Sequence, residues 1–308
     1  MLDYNFYQHI EDKHNYVKYS DTDSLYINIP QENEVDINKK IKVANNVSKY
    51  INLNITKYMN EYMLPKCGID PKYNYTDFKT EFILSAMIFL EVKKNYILQQ
   101  EVKEGKIFEP PKIGYTGIGV TKSDLAKFTQ DYIKYIIEEI LLKHNSIPKD
   151  ILNQINTYSI QQHQLVKEYL ENFNCLYIGK PAKWGGKEYE RFPTSVIGMK
   201  LYNTMTNSIT FTPISAGLRI PIKILNEKIF SNLININKNN HKYFLNDITP
   251  DKITNITFPY SYDSQTLKEQ FNKFKIAFDL DGLWNVIYST TCQRIVGIIQ
   301  KISQQSNY

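Results

Sequence analysis

The chain has 308 residues, 42% hydrophobic and 22% charged, the make-up of a folded protein with a core and length for about two domains. Lys and Arg number 37 against 32 Asp and Glu, a formal charge of +5 that permits a polyanionic partner without demanding one. The longest apolar runs, such as Phe82 to Val92, fall short of the ~20 residues a membrane span needs, and MLDYNFYQHIEDKH lacks a basic-then-apolar leader, so neither a membrane partner nor a signal peptide is expected.

The pattern opens at Tyr16 to Pro30, YVKYSDTDSLYINIP. Val17 and Tyr19 alternate with polar neighbours, Leu25, Ile27 and Ile29 do so again, and Pro30 closes the run. Two period-two stretches around a polar turn predict a β-hairpin with acids at its tip. Over 36–64 apolar residues recur at helical spacing, from Ile41 through Val47 to Met63, and KVANNVSKY (Lys42 to Tyr50) reads as part of that amphipathic helix. After a break at Pro65 to Asn74, a strand pair is expected at 75–84 and 87–99. A polar, Pro-rich crossing with Gly105, Pro110 and Pro111 follows.

From Ser123, the expected N-cap, to Lys143 helical spacing returns, and a second helix is predicted from Pro148 to about Phe173. An irregular basic piece covers 179–193, a strand 219–225, an Asn-rich loop 235–240 and a last helix 283–302. The change of character near Gly117 sets a boundary near residue 115, giving units at 1–115 and 116–308. The class is α+β: antiparallel sheet with helices first, then a mostly helical unit. Cys67, Cys175 and Cys292 are far apart and form no CxxC, which excludes a thiolate zinc site or disulfide framework and predicts three buried thiols in a reducing, cytoplasmic compartment.

The acids at the hairpin tip carry the most chemistry. Asp21 and Asp23 are two apart, and in an extended backbone they point to the same side. Two carboxylates held together repel, and a divalent cation removes that penalty. Hard oxygen ligands at this spacing suit Mg²⁺ or Mn²⁺. Two ions ~3.5–4 Å apart can activate an attacking hydroxyl and stabilise a leaving pyrophosphate. Thr22 and Ser24 complete the turn. Most Asp-x-Asp pairs are solvated turns; the hydrophobic flanks set this one apart.

The string YSDTDSLY resembles the C motif of family B DNA polymerases, with Ser20 where Gly is usual. Other motifs of that family follow in order. DFKTEF (Asp77 to Phe82) is similar to an acidic strand. VKKNYIL (Val92 to Leu98) matches KKxY through Lys93, Lys94 and Tyr96, two charges for backbone phosphates and a ring beside them. PPKIGYTGIGVTKSD (Pro110 to Asp124) resembles the Gly-rich exit from the palm, with Lys122 facing a phosphate. FPTSVIGMKLYN (Pro193, Gly198, Tyr202) and AGLRIPIKIL resemble thumb motifs, most like those of large tailed bacteriophages.

The resemblance implies a palm portion at 1–115 and a duplex-binding thumb at 116–308. It implies Asp23 as the main metal ligand, Asp21 as its acidic neighbour and Glu81 as a third palm carboxylate, with two Mg²⁺ ions. Lys93, Lys94, Tyr96, Lys122, Lys183, Lys187 and Arg191 would grip primer–template DNA, and dNTP would be the substrate.

The family's upstream A motif, its Lys-x-x-x-Asn-Ser-x-Tyr-Gly helix and its exonuclease acids have no match here, Asp3 being the only acid near the first of these. The expectation is therefore a second polypeptide that supplies exonuclease, fingers and A motif, or an inactive relic. The polar tail Gln300 to Tyr308 has no apolar clamp-binding segment, which leaves a sliding-clamp partner without a visible anchor. The alternatives are a non-catalytic duplex-binding module and a reverse transcriptase or RNA polymerase palm, the last opposed by DTDS followed by KKxY.

Overall fold

The computed structural model describes residues 17–20, 24–29, 36–90, 93–118, 120, 123–142, 148–184, 192–212, 215–236, 242–245, 248–289 and 292–305. The fold is α+β. It divides into a smaller unit, residues 1–87 and 98–114, and a larger one, residues 88–97 and 115–308.

The smaller unit begins with β1 (Val17–Ser20) and β2 (Leu25–Ile27), antiparallel with Ser20 opposite Leu25 and an irregularity between Val17 and Tyr19. Alternating apolar side chains on both sides of a polar turn produce this pairing. Helix α1 (Ile37–Tyr58) starts at Asp36, whose carboxylate accepts from the N–H groups of Asn38 and Lys39. It runs on as a π-helical turn, Met59–Met63, and a last turn, Leu64–Lys66. One face of α1 holds the returning chain. Asn52 Oδ1 accepts from Phe78 N–H at 2.6 Å, its Nδ2 donates to Phe78 O at 2.8 Å, and Thr80 donates to Ala44 O.

Strands β3 (Phe82–Phe89), β4 (Tyr96–Lys103) and β5 (Lys106–Thr116) form a sheet in that order. Glu104 and Gly105, with φ of 48° and 79°, join β4 to β5. Two consecutive positive φ values make a type I′ turn, whose twist matches a hairpin. The expected polar crossing is thus a strand. Pro110 and Pro111 fit because β5 is an edge, where a missing N–H costs no ladder bond. Four buried apolar side chains are described in this unit: Val47, Leu64, Leu98 and Val102.

The larger unit opens with α2 (Lys127–Tyr135), continued by a π-helical turn, Ile136–Leu141, and then α3 (Pro148–Glu171). The N-cap of α2 is Ala126 rather than Ser123, and it caps with no side chain. Phe128 N–H instead donates to Tyr177 O at 2.9 Å, so a tertiary contact replaces the local cap. Next come β6 (Lys180–Lys183), α4 (Thr194–Thr206), β7 (Ala216–Ile224), α5 (Glu227–Ile236), β8 (Asn255–Phe258), α6 (Ser264–Phe274) and β9 (Ile276–Phe278). β7 is central and antiparallel to β6, β8 and β9. The single expected C-terminal helix is two, α7 (Leu280–Tyr288) and α8 (Cys292–Gln305).

Helices α2, α3, α7 and α8 close around Tyr132. Its ring stacks on Phe128 and Tyr158 and meets the edge of Trp284 at 5.5 Å. Its hydroxyl shares a 2.7 Å hydrogen bond with Ser159 and lies 3.5 Å from Cys292 Sγ. Ile133, Ile136, Ile137, Ile155, Leu283, Ile287 and Ile295 along these helices are also buried.

Cys175 and Cys292 are buried, as expected, but Cys67 is exposed beyond the end of α1. No described helix is long and apolar enough to cross a membrane. Burial raises the thiol of Cys292 to about 11 and that of Cys175 to about 12. Thiol titration of the native chain should therefore modify Cys67 alone, and all three cysteines once it is denatured. Stability from the two buried thiols is whole below their unfolded pKa of ~8.5 and is lost as pH rises toward 11–12, because only the unfolded chain releases protons there. Thermal melts across that range should show the fall.

Candidate nucleic-acid interface

Asp21, Thr22 and Asp23 lie outside the described residues, as do Lys122, Lys187 and Arg191. The pairing of Ser20 with Leu25 makes Asp21 to Ser24 the connection between β1 and β2. Ser24, at its end, is half-buried. Glu81 is exposed just before β3, and its carbonyl accepts from Glu104 N–H at 2.8 Å. Asp77 is exposed on the segment along α1, 3.1 Å from Asn52 Nδ2 and 3.6 Å from Lys79 Nζ. Among the described residues no three His, Cys, Asp or Glu side chains gather as a metal site. The donor set that suits Mg²⁺ by its chemistry is the carboxylate pair Asp21 and Asp23.

The lysine motif sits in a turn, not on a strand. Leu90 N–H donates to Asn95 O at 3.0 Å and closes the β3–β4 connection. Lys94 takes a φ of 59°, and Asn95 Nδ2 donates to Lys93 O at 3.0 Å. Reversing the chain here swings both lysines into solvent, where Lys93 and Lys94 are exposed. Tyr96 begins β4 with its ring edge-to-face on Phe89 at 6.2 Å, so part of its surface goes to packing.

Gly117, from the Gly-rich string after β5, meets this turn. A Cβ there would stand 2.1 Å from Lys94 O and 2.9 Å from Asn95 Cγ, and its φ is +67°. Only glycine supplies both the conformation and the room. Nearby, Tyr115 donates to the Glu138 carboxylate, and burial together with that carboxylate raises its pKa.

Of the other basic candidates, Lys183 is exposed at the end of β6, opposite Ala216. Lys180 is 3.9 Å from Asp124. The motif residues of α4 serve packing. A Cβ on Gly198 would be 2.8 Å from Thr257 N and 3.0 Å from Asn255 O, so its absence lets α4 lie flat on β8. Tyr202 is buried against Phe211.

Lys200 is a residue that the sequence reading passed over. It is 4% exposed, with its ammonium 3.9 Å above the Phe192 ring, and burial depresses its pKa. The signal was a lone lysine inside the apolar run VIGMKLY.

No protein-family model and no curated protein matches the chain. Chemically, the arrangement offers two exposed ammonium groups on a locked turn, suited to phosphate oxygens.

Gly117→Ala should unlock that turn. Displacing a backbone carbonyl and forcing a positive φ costs about 2 kcal/mol or more. A lowered urea midpoint, with faster proteolysis between Leu90 and Asn95 than elsewhere, is the expected result.

Proposed function

We propose that the chain contributes the palm C motif and the thumb of a family B DNA polymerase. The observation that carries this reading is the meeting of two motifs 23 residues apart, the Lys93–Lys94 turn and Gly117, in one tight contact. A chance KKxY and a chance glycine have no reason to require each other. The β1–β2 pairing on either side of Asp21 to Ser24 also supports it.

On this reading Asp23 and Asp21 hold the metal ions, and Glu81 lends a further carboxylate near the site. Mg²⁺ at these carboxylates supplies the charge neutralisation that phosphoryl transfer to the primer 3′-hydroxyl requires. Lys93, Lys94 and Lys183, with Lys122, Lys187 and Arg191, hold the primer–template backbone. A companion polypeptide with the A motif, fingers and exonuclease completes the second ion site. Leu25, Met63 and Ile69, each about 40% exposed, offer it apolar surface.

Primer extension tests this. The chain alone is expected to give no synthesis, and the mixture with the companion polypeptide to give template-directed, Mg²⁺-dependent product that Asp23→Asn abolishes. Synthesis by the chain alone, or full activity of Asp23→Asn, contradicts the assignment. Lys93→Ala with Lys94→Ala should weaken duplex binding and lower the slope of log K against log salt by about 0.9 per lost phosphate contact.

A second reading, a non-catalytic duplex-binding module, is favoured by the exposure of Lys93, Lys94 and Lys183, which need no metal to bind phosphate. Steeply salt-dependent duplex binding, indifferent to Mg²⁺ and dNTP even with the companion present, selects that module.

A further inference from the structure

Helix α1 carries a charge that nothing on it offsets. It holds five lysines, at 39, 40, 42, 49 and 57, and no Asp or Glu. Setting those five aside leaves 32 Lys and Arg against 32 Asp and Glu elsewhere, so by count the net charge of the chain is that of this helix. Lys40 alone is neutralised, with both Glu101 oxygens 2.8 Å from its Nζ.

The other four lie elsewhere on the helix. At 100° per residue Lys39, Lys42, Lys49 and Lys57 fall within about 80° of one another and span about 27 Å of axis. Their stripe is opposite the face where Ala44, Ser48 and Asn52 hold residues 77–80. All four are exposed, and among the described residues none has a carboxylate partner. Lys57 has Glu61 four residues on, but no ion pair forms between them. Three exposed lysines of α2 and α3 behave differently: Lys127, Lys134 and Lys167 pair with Asp131, Glu138 and Glu171 at i,i+4.

Aromatic faces gather at the C-terminal end of α1, where Tyr58 stands about 100° round the axis from Lys57. Tyr58 and Tyr62 are each 55% exposed and stack at 5.7 Å. Tyr73 and Tyr75, also exposed, return on a segment tied to the helix by Asn74 Nδ2 donating to Asn60 Oδ1 at 2.8 Å. Lys72 sits over the Tyr73 ring.

We propose that this face of α1, with the tyrosines at its end, is a binding track for single-stranded nucleic acid. Lysine is a flexible point charge, and intervals of about 4.5, 10.5 and 12 Å suit phosphates on a strand that can extend or curl between contacts. The rings select the single strand, because its bases expose faces that a duplex keeps stacked. An acidic protein would satisfy the lysines and leave the tyrosines without a role. The track uses none of the residues assigned to catalysis or duplex grip and does not rest on the polymerase reading.

Fluorescence anisotropy of the full chain with a labelled oligothymidylate of about 20 nucleotides, without metal, tests it. The variant Lys39→Ala/Lys42→Ala/Lys49→Ala/Lys57→Ala should bind about tenfold or more weakly, and its log K against log salt slope should be shallower by about 3, at ~0.7 per contact. The same four positions as Arg should keep both. Tyr58→Ala/Tyr62→Ala should lose about fivefold with the slope unchanged. Hairpin duplex should bind all of these as it binds the unaltered chain. Unchanged oligothymidylate affinity in the quadruple Ala variant overturns the proposal. So does an equal loss on duplex. Loss of poly-L-glutamate binding in that variant, with oligothymidylate binding kept, points to an acidic protein instead.

Discussion

The contact on which the candidate interface depends is between an atom that is missing and a carbonyl. Gly117 has no Cβ, and Lys94 O occupies the space where one would stand. Both residues have positive φ, so two chain reversals interlock backbone to backbone. Side chains add little to such a joint, and no neighbouring rotamer can absorb an added methyl. The lysines ride on the locked turn, which limits their motion to their own stems. Phosphate binding gains when charges are placed before the ligand arrives.

Around that joint the larger unit is stiff for a second reason. Tyr132 joins four helices through three ring contacts and a hydroxyl, and few side chains could replace it. Tyr262 does similar work where the chain leaves α3. Its hydroxyl donates to Phe173 O at 2.6 Å and accepts from Cys175 N–H at 2.7 Å, satisfying backbone groups that the left-handed Phe173 leaves outside any helix. The smaller unit is built differently. Its long helix is fastened to residues 77–80 by Asn52 and Ser48, which bond the Phe78 backbone, and by Thr80, which donates to Ala44 O, and of its own side chains only Val47 is buried. Polar clamps fix register, while apolar burial supplies most of the stability.

The sequence told most where periodicity acted alone. Helices α1 and α3 followed their apolar spacing almost to the residue, since each runs over twenty residues. The β1–β2 pairing followed from alternation. Where local and tertiary preferences conflict, the sequence misled. Pro110 and Pro111 argued for a crossing, and edge position reversed that. Ser123 had the chemistry of a cap, but the N-cap is Ala126, three residues further on, and Tyr177 O takes the cap's role by accepting from Phe128 N–H. Lys93 and Lys94 looked like strand residues because apolar runs flank them, yet a left-handed Lys94 is set by the packing of Gly117, which no local pattern encodes. The final helix read as one because the apolar spacing of α7 passes into that of α8. Glu81 was singled out by likeness alone, and its exposure before β3 has no periodic signal. The acids of the hairpin tip lie outside the described residues.

The charge distribution follows a rule that residue counts hide. On α2 and α3 an acid stands four residues after each of three exposed lysines, and helix geometry turns that spacing into an ion pair. Such pairs add little stability, but they cancel the field a short distance from the surface. On α1 the exposed stripe has no such partner, so its field persists out to about a Debye length, ~8–10 Å at moderate salt. The lysine on its packed side is the one that receives a carboxylate, because a half-buried ammonium left unpaired is costly. Neutralisation on this helix therefore occurs where folding requires it and not on the open face. An uncompensated row of like charges costs the helix some self-repulsion, and a bound polyanion removes that cost by occupying the positions the sequence leaves without acids.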